Sequence, residues 1–373
     1  MDSIINSSAF FVLAKGKPGG AERRFFYLYE YYISKGKTPH LITNSELFNS
    51  LPSEKLLGAN VFKKKLNGHR LIAPLKYIFS SLWYIRKENI KHIHFCVNPS
   101  FYSFLMINVL RLLGCTTSVS IVNSIIRSGS DLSSINKFVW KKTIKLVDVI
   151  DTLSPSIRTN MNNVFGSLVF QHKELLISPC SFSMRADSIR NDERNSINAK
   201  NRVYDFIFAS RLIEGKGLEL LLETLKICDI EGYKFTVAIC GNGPLADKVK
   251  SIALNNVKLI YLDYVKDMQD VLFQSKVALS LQKYENYPSQ FLLEALAANC
   301  NVISTDVGDT RLLLNEEIST LIDNDISSLK NALIKADYDY SLKRKAAVNG
   351  LLEQHSVESF ANYIEKIITE VQS

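Results

Sequence analysis

Apolar and polar positions along the 373-residue chain follow two rhythms. Short continuous apolar runs of strand length end in turn residues, and between them apolar residues recur every three to four positions, as on one helix face. In the front half, AFFVLAKG (9–16), KHIHFCV (91–97), TTSVSIVNS (116–124), DVIDTLS (148–154) and ELLISPC (174–180) read as strands. The first is followed by a segment in which Phe25, Leu28, Tyr29, Tyr32 and Ile33 fall at helical spacing. Residues 183–202 are polar and aperiodic, as a linker is. The pattern then restarts, with strands at 204–210, 233–240, 257–263, 276–282 and 301–306 separated by helical stretches.

Strand–helix alternation in two blocks predicts an α/β protein of two Rossmann-like, doubly wound parallel-sheet domains facing across a cleft. The expected boundaries are 1–185 for the first domain, 186–202 for the linker and 203–355 for the second domain. An amphipathic last segment, 356–373, is expected to pack back across the domains. Ligands of such sheets sit beyond the carboxyl ends of the strands, which directs attention to the loops that follow the runs above.

Composition narrows the class. Apolar content of 46% and charged content of 22% describe a globular chain. Six cysteines (96, 115, 180, 228, 240 and 300) stand singly, with no C-x-x-C pair, as reduced thiols of a cytosolic protein do. The N-terminus has no basic stretch before its apolar run, and the greasiest segment, 101–114, is interrupted by Arg111 and too short to span a bilayer. The expectation is a cytoplasmic protein, soluble or peripheral on the inner face of the membrane.

Charge adds an asymmetry to the net +8. Residues 1–200 hold 27 Lys and Arg against 13 Asp and Glu, whereas residues 201–373 hold 18 against 24. This asymmetry reads either as charge drift over a solvated surface or as a front half that meets something anionic. Candidates for that contact are RR (23–24), KKK (63–65) and KK (141–142). Residues 71–90 mix Trp83 and other aromatics with Lys76, Arg86 and Lys87, a pattern shared by interfacial helices and by core helices with a basic edge. No nucleic-acid-binding motif accompanies these charges, and no nucleic-acid partner is expected.

Candidate chemistry concentrates in KYENYPSQFLLEALAANCNVISTDVG (283–308). Glu294 is the only charged residue in the apolar run 291–298, and an unpaired carboxylate there would cost several kcal/mol (order of magnitude). Ser289 suits an N-cap for a helix beginning near Gln290, and helix N-termini bind anions through free amides. Glu285 precedes that helix. In FASRLIEGKGLELLLETL (208–225), Arg211 follows a strand and Lys216 precedes Gly217 at a helix start, a pair of cations suited to a diphosphate.

ASRLIEGKG followed by YENYPSQFLLEALAANCNVISTDVGDT resembles the donor domain of GT-B glycosyltransferases of the retaining family 4, the group 1 glycosyl transferases of bacterial surface-polysaccharide type. PGGAER resembles the glycine loop of that family's acceptor domain. The resemblance implies transfer of a sugar from a nucleotide-diphosphate donor to a glycan or lipid-diphosphate-linked acceptor at an anionic membrane surface, without a metal or other cofactor. It implies that Arg211 and Lys216 hold the diphosphate, that Glu285 touches the transferred sugar and that Glu294 accepts from the ribose hydroxyls. Backbone amides of Asn286, Tyr287, Pro288 (through its flanking amides), Ser289 and Gln290 would line phosphate or sugar oxygens. Gly19 and Gly20 would let the N-terminal loop approach the phosphates. Gly241 and Gly243 would lie near the nucleotide, with Tyr264 or Val265 bordering the base.

Two departures stand out. The family places seven residues between its paired glutamates, and here eight intervene (286–293), which bulges the turn. The family's histidine after the strand corresponding to 116–124 is absent, and Asn123 stands in that loop as an acceptor-side group. His92 and His94 share a strand face without a nearby carboxylate, so packing or, for His94, acceptor contact is expected instead of metal binding. A rival reading takes GNGPLA (241–246) as a dinucleotide fingerprint with Asp263 as its acidic residue, hence an NAD(P)-dependent oxidoreductase. A nucleotide-sugar epimerase and an inactive binding subunit are further alternatives.

Overall fold

The computed structural model of the chain describes residues 2–14, 20–50, 60–66, 68–69, 72–96, 98–121, 132–166, 169, 175–178, 201–287, 289–336 and 342–372. The chain divides into two compact units, residues 1–183 with 356–373, and residues 184–355.

The first unit is built on a seven-stranded sheet in the order β3-β2-β1-β4-β5-β6-β7. Its strands are β1 (Ser8–Val12), β2 (His40–Asn44), β3 (Val61–Lys64), β4 (His92–Phe95), β5 (Thr116–Ile121), β6 (Val149–Thr152) and β7 (Leu175–Ile177), and every pairing is parallel. The helices are α1 (Asp2–Asn6), α2 (Gly20–Ser34), α3 (Ser45–Ser50), α4 (Ile72–Lys87), α5 (Phe101–Leu112), α6 (Ser134–Leu146) and α7 (Pro155–Phe165). Helices α4 to α7 bury Ile85, Met106, Trp140 and Ile157 with Phe95, Val119 and Ile150 on one sheet face. On the other face, Phe25 and Tyr29 of α2 meet Phe360 and Ile364 of the terminal helix Val357–Gln372 over Phe10 and Val12. The terminal helix thus belongs to this unit, and Tyr32 donates from its hydroxyl to the Ala361 carbonyl at 3.1 Å.

Under those two helices runs a buried polar seam. His92 and His94 are two residues apart, so the strand pleat sends both to one face. His92 Nε2 lies 2.8 Å from Ser118 Oγ, which is 2.7 Å from His94 Nδ1, and His94 Nε2 is 2.9 Å from Ser120 Oγ. Ser120 donates to Asp151 at 2.7 Å, and Tyr363 of the terminal helix donates to the other Asp151 oxygen at 2.7 Å. Arg24 is buried 3.9 Å from Asp151 and lies over the Phe360 ring at 3.9 Å. The two histidines, Ser118, Ser120, Asp151 and Tyr363 each find a hydrogen-bond partner, and Arg24 sets its charge opposite Asp151, which limits the penalty for burying such groups.

Burial pushes the His92 imidazole down to about 3 and holds His94 well below its ordinary range, with His92 and Arg24 adding to the second effect. Both rings are neutral in the folded unit and take up protons near pH 6.5 once unfolded. Stability is then complete above pH 6.5 and declines as the pH falls below it, by about 2 kcal/mol from His92 alone at pH 5. Thermal melts at pH 7.5 and 5.0 are expected to show that decline, and His92→Gln should remove the His92 share of it while His94 keeps its own. A melting temperature independent of pH over this window would refute the neutral seam.

The second unit holds a six-stranded parallel sheet in the order β10-β9-β8-β11-β12-β13. Its strands are β8 (Tyr204–Ala209), β9 (Thr236–Cys240), β10 (Lys258–Tyr261), β11 (Ser275–Ser280), β12 (Asn301–Thr305) and β13 (Thr320–Ile322). Its helices are α8 (Leu218–Ile230), α9 (Ala246–Ser251), α10 (Met268–Leu272), α11 (Gln290–Ala297), α12 (Ile326–Ile334) and α13 (Leu342–Gln354). Apolar faces of α8, α9 and α12 close over Phe206, Val237 and Val277.

Helix α11 is fixed at both ends. Ser289 caps its start, accepting from the Leu292 amide at 3.3 Å. At its other end Arg202 donates to the carbonyls of Ala298 and Ser275 at 2.8 and 2.6 Å, and Arg344 donates to Cys300 and Ile318 at 3.0 and 3.1 Å. Arg202 there satisfies the carbonyl of Ala298, the residue that closes the helix, and the two buried guanidinium groups oppose its negative dipole end. The five described cysteines are all buried and free. Among the described residues no helix is long and apolar enough to cross a membrane.

Candidate active site

The strand order of the second unit reverses at β8: one neighbour, β9, comes next in the chain, and the other, β11, comes later. Such a switch point opens a crevice at the carboxyl ends of the two strands. Four loops gather there, after β8 (210–217), β9 (241–245), β11 (281–289) and β12 (306–309), and backbone bonds lace them together. Lys283 donates to the Gly215 carbonyl at 2.9 Å, and Leu212 donates to the Asn242 carbonyl at 3.0 Å.

Close approach is the condition for that lacing. Gly217, with φ of 88°, starts α8 directly against β11: a Cβ there would fall 2.0 Å from the Leu281 carbonyl oxygen. In the β9 loop, Cβ atoms at Gly241 and Gly243 would fall 1.8 Å from the Ser210 oxygen and 2.4 Å from the Leu212 oxygen. The glycines of GNGPLA therefore serve packing of the β9 loop against the β8 loop. That accounts for the fingerprint without a dinucleotide, and the loop follows the second strand of the unit, not the first. Asp263 stands beyond β10 with φ of 50°, its carbonyl accepting from the Gly241 amide at 2.6 Å. Tyr264 beside it is exposed and Val265 half-buried.

Lys216 reaches across the switch point. Its Nζ donates to Gln282 Oε1 at 2.6 Å, and Gln282 Nε2 donates to Asn286 Oδ1 at 2.7 Å. Asn286 is buried, accepts from Ser280 Oγ at 2.9 Å and donates to Ser304 Oγ at 2.9 Å. A polar relay thus ties the cation of the β8 loop to the ends of β11 and β12. Arg211 lies on the same β8 loop and is exposed.

The Glu285 carboxylate binds the loops around it. Its Oε1 accepts from the amides of Asn286, Tyr287 and Asp309 at 3.0, 2.9 and 3.1 Å. Gly308 leaves room for it: a Cβ there would lie 2.3 Å from Glu285 Oε2, and φ is 57°. The Asn286 and Tyr287 amides, both expected to face a ligand, are thereby engaged by Glu285. Within the turn Asn286 points its side chain inward as an anchor. Glu294 lies on α11, half-buried, and accepts from Gln290 Nε2 at 2.6 Å.

Several expectations fall elsewhere. Gly19, Asn123 and Pro288 lie outside the described residues, and Gly20 is the first residue of α2. His94, expected at the acceptor side, is instead wholly buried in the seam of the first unit, both ring nitrogens bonded to serines. Arg24, grouped with Arg23 as a lure for an anionic acceptor, is also buried, because it neutralises Asp151. Among the described residues no group of three or more His, Cys, Asp or Glu is placed to hold a metal ion. Gln282 and Gly308 were not anticipated. The available signals were a polar residue ending a buried strand and a glycine two residues past the end of another.

Residues 189–350 match the family model described as glycosyl transferases group 1. No curated protein matches the chain. Among solved structures, the chain is similar to HepE of Anabaena in complex with UDP, at 15% identity, 97% coverage of this chain and 100% of that one, with a TM-score of 0.68. It is similar to sucrose-phosphate synthase from Thermosynechococcus elongatus at 15% identity, covering 97% and 98%, with a TM-score of 0.71. It is also similar to the apo form of the lipopolysaccharide outer core galactosyltransferase WaaB at 14% identity, covering 96% and 99%, with a TM-score of 0.62.

Proposed function

We propose that this chain, whose residues 189–350 form a glycosyl transferases group 1 domain and whose two parallel-sheet units have the GT-B fold, moves a sugar from a nucleotide-diphosphate donor to a glycan or lipid-linked acceptor. The observation that carries this reading is the Lys216–Gln282–Asn286 relay at the switch point, beside the capped start of α11. A cation fixed there suits a diphosphate, and the first amides of α11 suit its oxygens. HepE, solved with UDP and with UDP-glucose, makes UDP the first nucleotide to test.

In this reading Arg211 and Lys216 hold the diphosphate. The bond from the anomeric carbon to the diphosphate oxygen breaks and its electron pair stays on the nucleotide. The acceptor hydroxyl oxygen bonds to the anomeric carbon, and its proton passes to a diphosphate oxygen, with retention at that carbon. The protein contributes position and fixed charge, so no metal enters the step. Glu294 accepts from the ribose hydroxyls, Tyr264 or Val265 borders the base, and Oε2 of Glu285 meets the sugar while Oε1 keeps its amides. The likeness to the lipopolysaccharide outer core galactosyltransferase WaaB supports a surface glycan as acceptor.

Melting the protein with UDP, GDP, ADP and dTDP tests the donor site, because a ligand at 100 times its Kd stabilises by about 2.7 kcal/mol. One of the four should raise the melting temperature, and the matching nucleotide sugar should be consumed when acceptor is supplied. No shift with any of them and no donor consumption would remove the reading. Binding without consumption would leave a binding subunit, and a new free nucleotide sugar would indicate an epimerase.

A further inference from the structure

In the second unit the loops after β8 and β11 meet residue by residue, running in opposite directions. Gly217 leaves no room for a Cβ beside the Leu281 carbonyl, Lys216 Nζ donates to Gln282 at 2.6 Å, and the Lys283 amide donates to the Gly215 carbonyl at 2.9 Å. Tyr284 comes next, and its ring lies on Gly215: a Cβ there would fall 3.2 Å from Cε2 and 3.5 Å from Cδ2. Residues 281 to 284 thus engage 217, 216 and 215 in turn. Leu281 is buried, whereas Tyr284 ends the row on the solvent side, 50% exposed.

A single exposed ring is ordinary, but this one is laid on backbone between two groups of the candidate site. Gly215 has φ of 78°, and its lack of a Cβ lets the ring approach the chain. Tyrosine has two side-chain torsions, so a ring held along one edge is held as a whole. Lys283 Nζ, 5.5 Å from the ring centroid, adds a cation beside it. Lys216 follows Gly215, and Glu285 follows Tyr284. Gln282, which holds Lys216, is itself tied to β12, its carbonyl accepting from Thr305 Oγ1 at 2.7 Å. Glu285 is tied to the β12 loop through the Asp309 amide at 3.1 Å. The contact of Tyr284 with Gly215 joins the segment carrying the ammonium directly to the segment carrying the carboxylate.

We propose that Tyr284 is a positioning residue of the donor site. Its ring, laid on Gly215, fixes the distance between the Lys216 ammonium and the Glu285 carboxylate, and with it the register of the sugar against the diphosphate. The inference rests on the transferase reading, in which those two groups meet the diphosphate and the sugar. Tyr284 acts through the two loops, so its ring is required and its hydroxyl is not.

Full-length protein is melted with UDP, GDP, ADP and dTDP. Nucleotide release is then followed from the glucose, galactose and N-acetylglucosamine esters of whichever binds, with alkyl glycosides as acceptors. Tyr284→Ala should leave nucleotide affinity within about twofold and lower kcat about tenfold, because a small displacement at the reacting centre is costly in rate. Tyr284→Phe should recover the rate. Gly215→Ala, whose methyl would press on the ring, should slow release in the parent protein and clearly less when Tyr284 is already replaced by alanine. Residues in contact couple in this way, whereas independent ones do not. An unchanged kcat in Tyr284→Ala, a phenylalanine variant as slow as the alanine one, or single effects that simply multiply in the double variant would each overturn the proposal. In those cases nucleotide binding and release by the parent protein leave the transferase reading standing. Binding by the parent without release from any ester overturns the proposal too, and binding of none of the four nucleotides removes both.

Discussion

Replacing Lys216 with alanine is expected to lower kcat/KM for donor consumption about 10³-fold, an effect of the size seen when one fixed charge-stabilising group is removed. Negative charge grows on the departing diphosphate as the glycosidic bond breaks, so a cation already held in place stabilises the transition state more than the ground state. Lys216 is held by Gln282, whose amide is itself held by buried Asn286. Gln282 is in this view a positioning residue. Gln282→Ala keeps the cation but releases it, and should cost about tenfold, mainly in kcat. Gln282→Glu would place a carboxylate against the ammonium and cost more than Gln282→Ala. Arg211→Ala combined with Lys216→Ala should fall short of the product of the single effects, because both act on one diphosphate. Steady-state release of the nucleotide measures all of these. Full turnover in the Lys216→Ala variant would sink the diphosphate assignment, whereas equal loss in kcat and in stability would make the relay merely structural.

Gly217→Ala is expected to destabilise the second unit by about 4 kcal/mol or more, which marks a clash and not a propensity effect. The new methyl would lie 2.0 Å from the Leu281 carbonyl oxygen, and backbone on both sides prevents an easy retreat. Positive φ adds its own strain of about 1–2 kcal/mol for any residue with a Cβ. Gly232 separates the two causes, since its φ is 82° yet a Cβ there would meet nothing within 4 Å. Gly232→Ala should therefore cost only the conformational share. Urea unfolding of both variants gives the comparison. Near-equal losses would mean that the β8 and β11 loops yield to each other, and the close approach would then not be what fixes Lys216.

Much of the framework was legible from periodicity. Ten apolar runs appear as strands within a few residues of where they were read, because buried parallel strands need continuous apolar sequence. Strands β2, β3 and β13 were missed for identifiable reasons. HLITN is buried but carries His40, Thr43 and Asn44. β3 and β13 are short edge strands, and β3 exposes Lys63 and Lys64. In the candidate site, Ser289 as a helix cap followed from local chemistry, whereas the side chains of Glu285 and Asn286 turned out to tie their loop to its neighbours, Glu285 to the Asp309 amide and Asn286 to Ser280 and Ser304.

The sequence by itself determined where strands and helices fall, that their alternation makes two parallel sheets, and which loops could hold an anion. These are local properties, set by the spacing of apolar side chains over a few residues. Tertiary structure decided what each polar side chain meets. Lys216 and Gln282 are 66 positions apart, and only the placing of β8 beside β11 joins them. Likewise Gly241 reads as a phosphate loop until the Ser210 carbonyl is found where its side chain would be. Partners of this kind depend on strand order, which is a property of the whole fold and is not written in any single stretch.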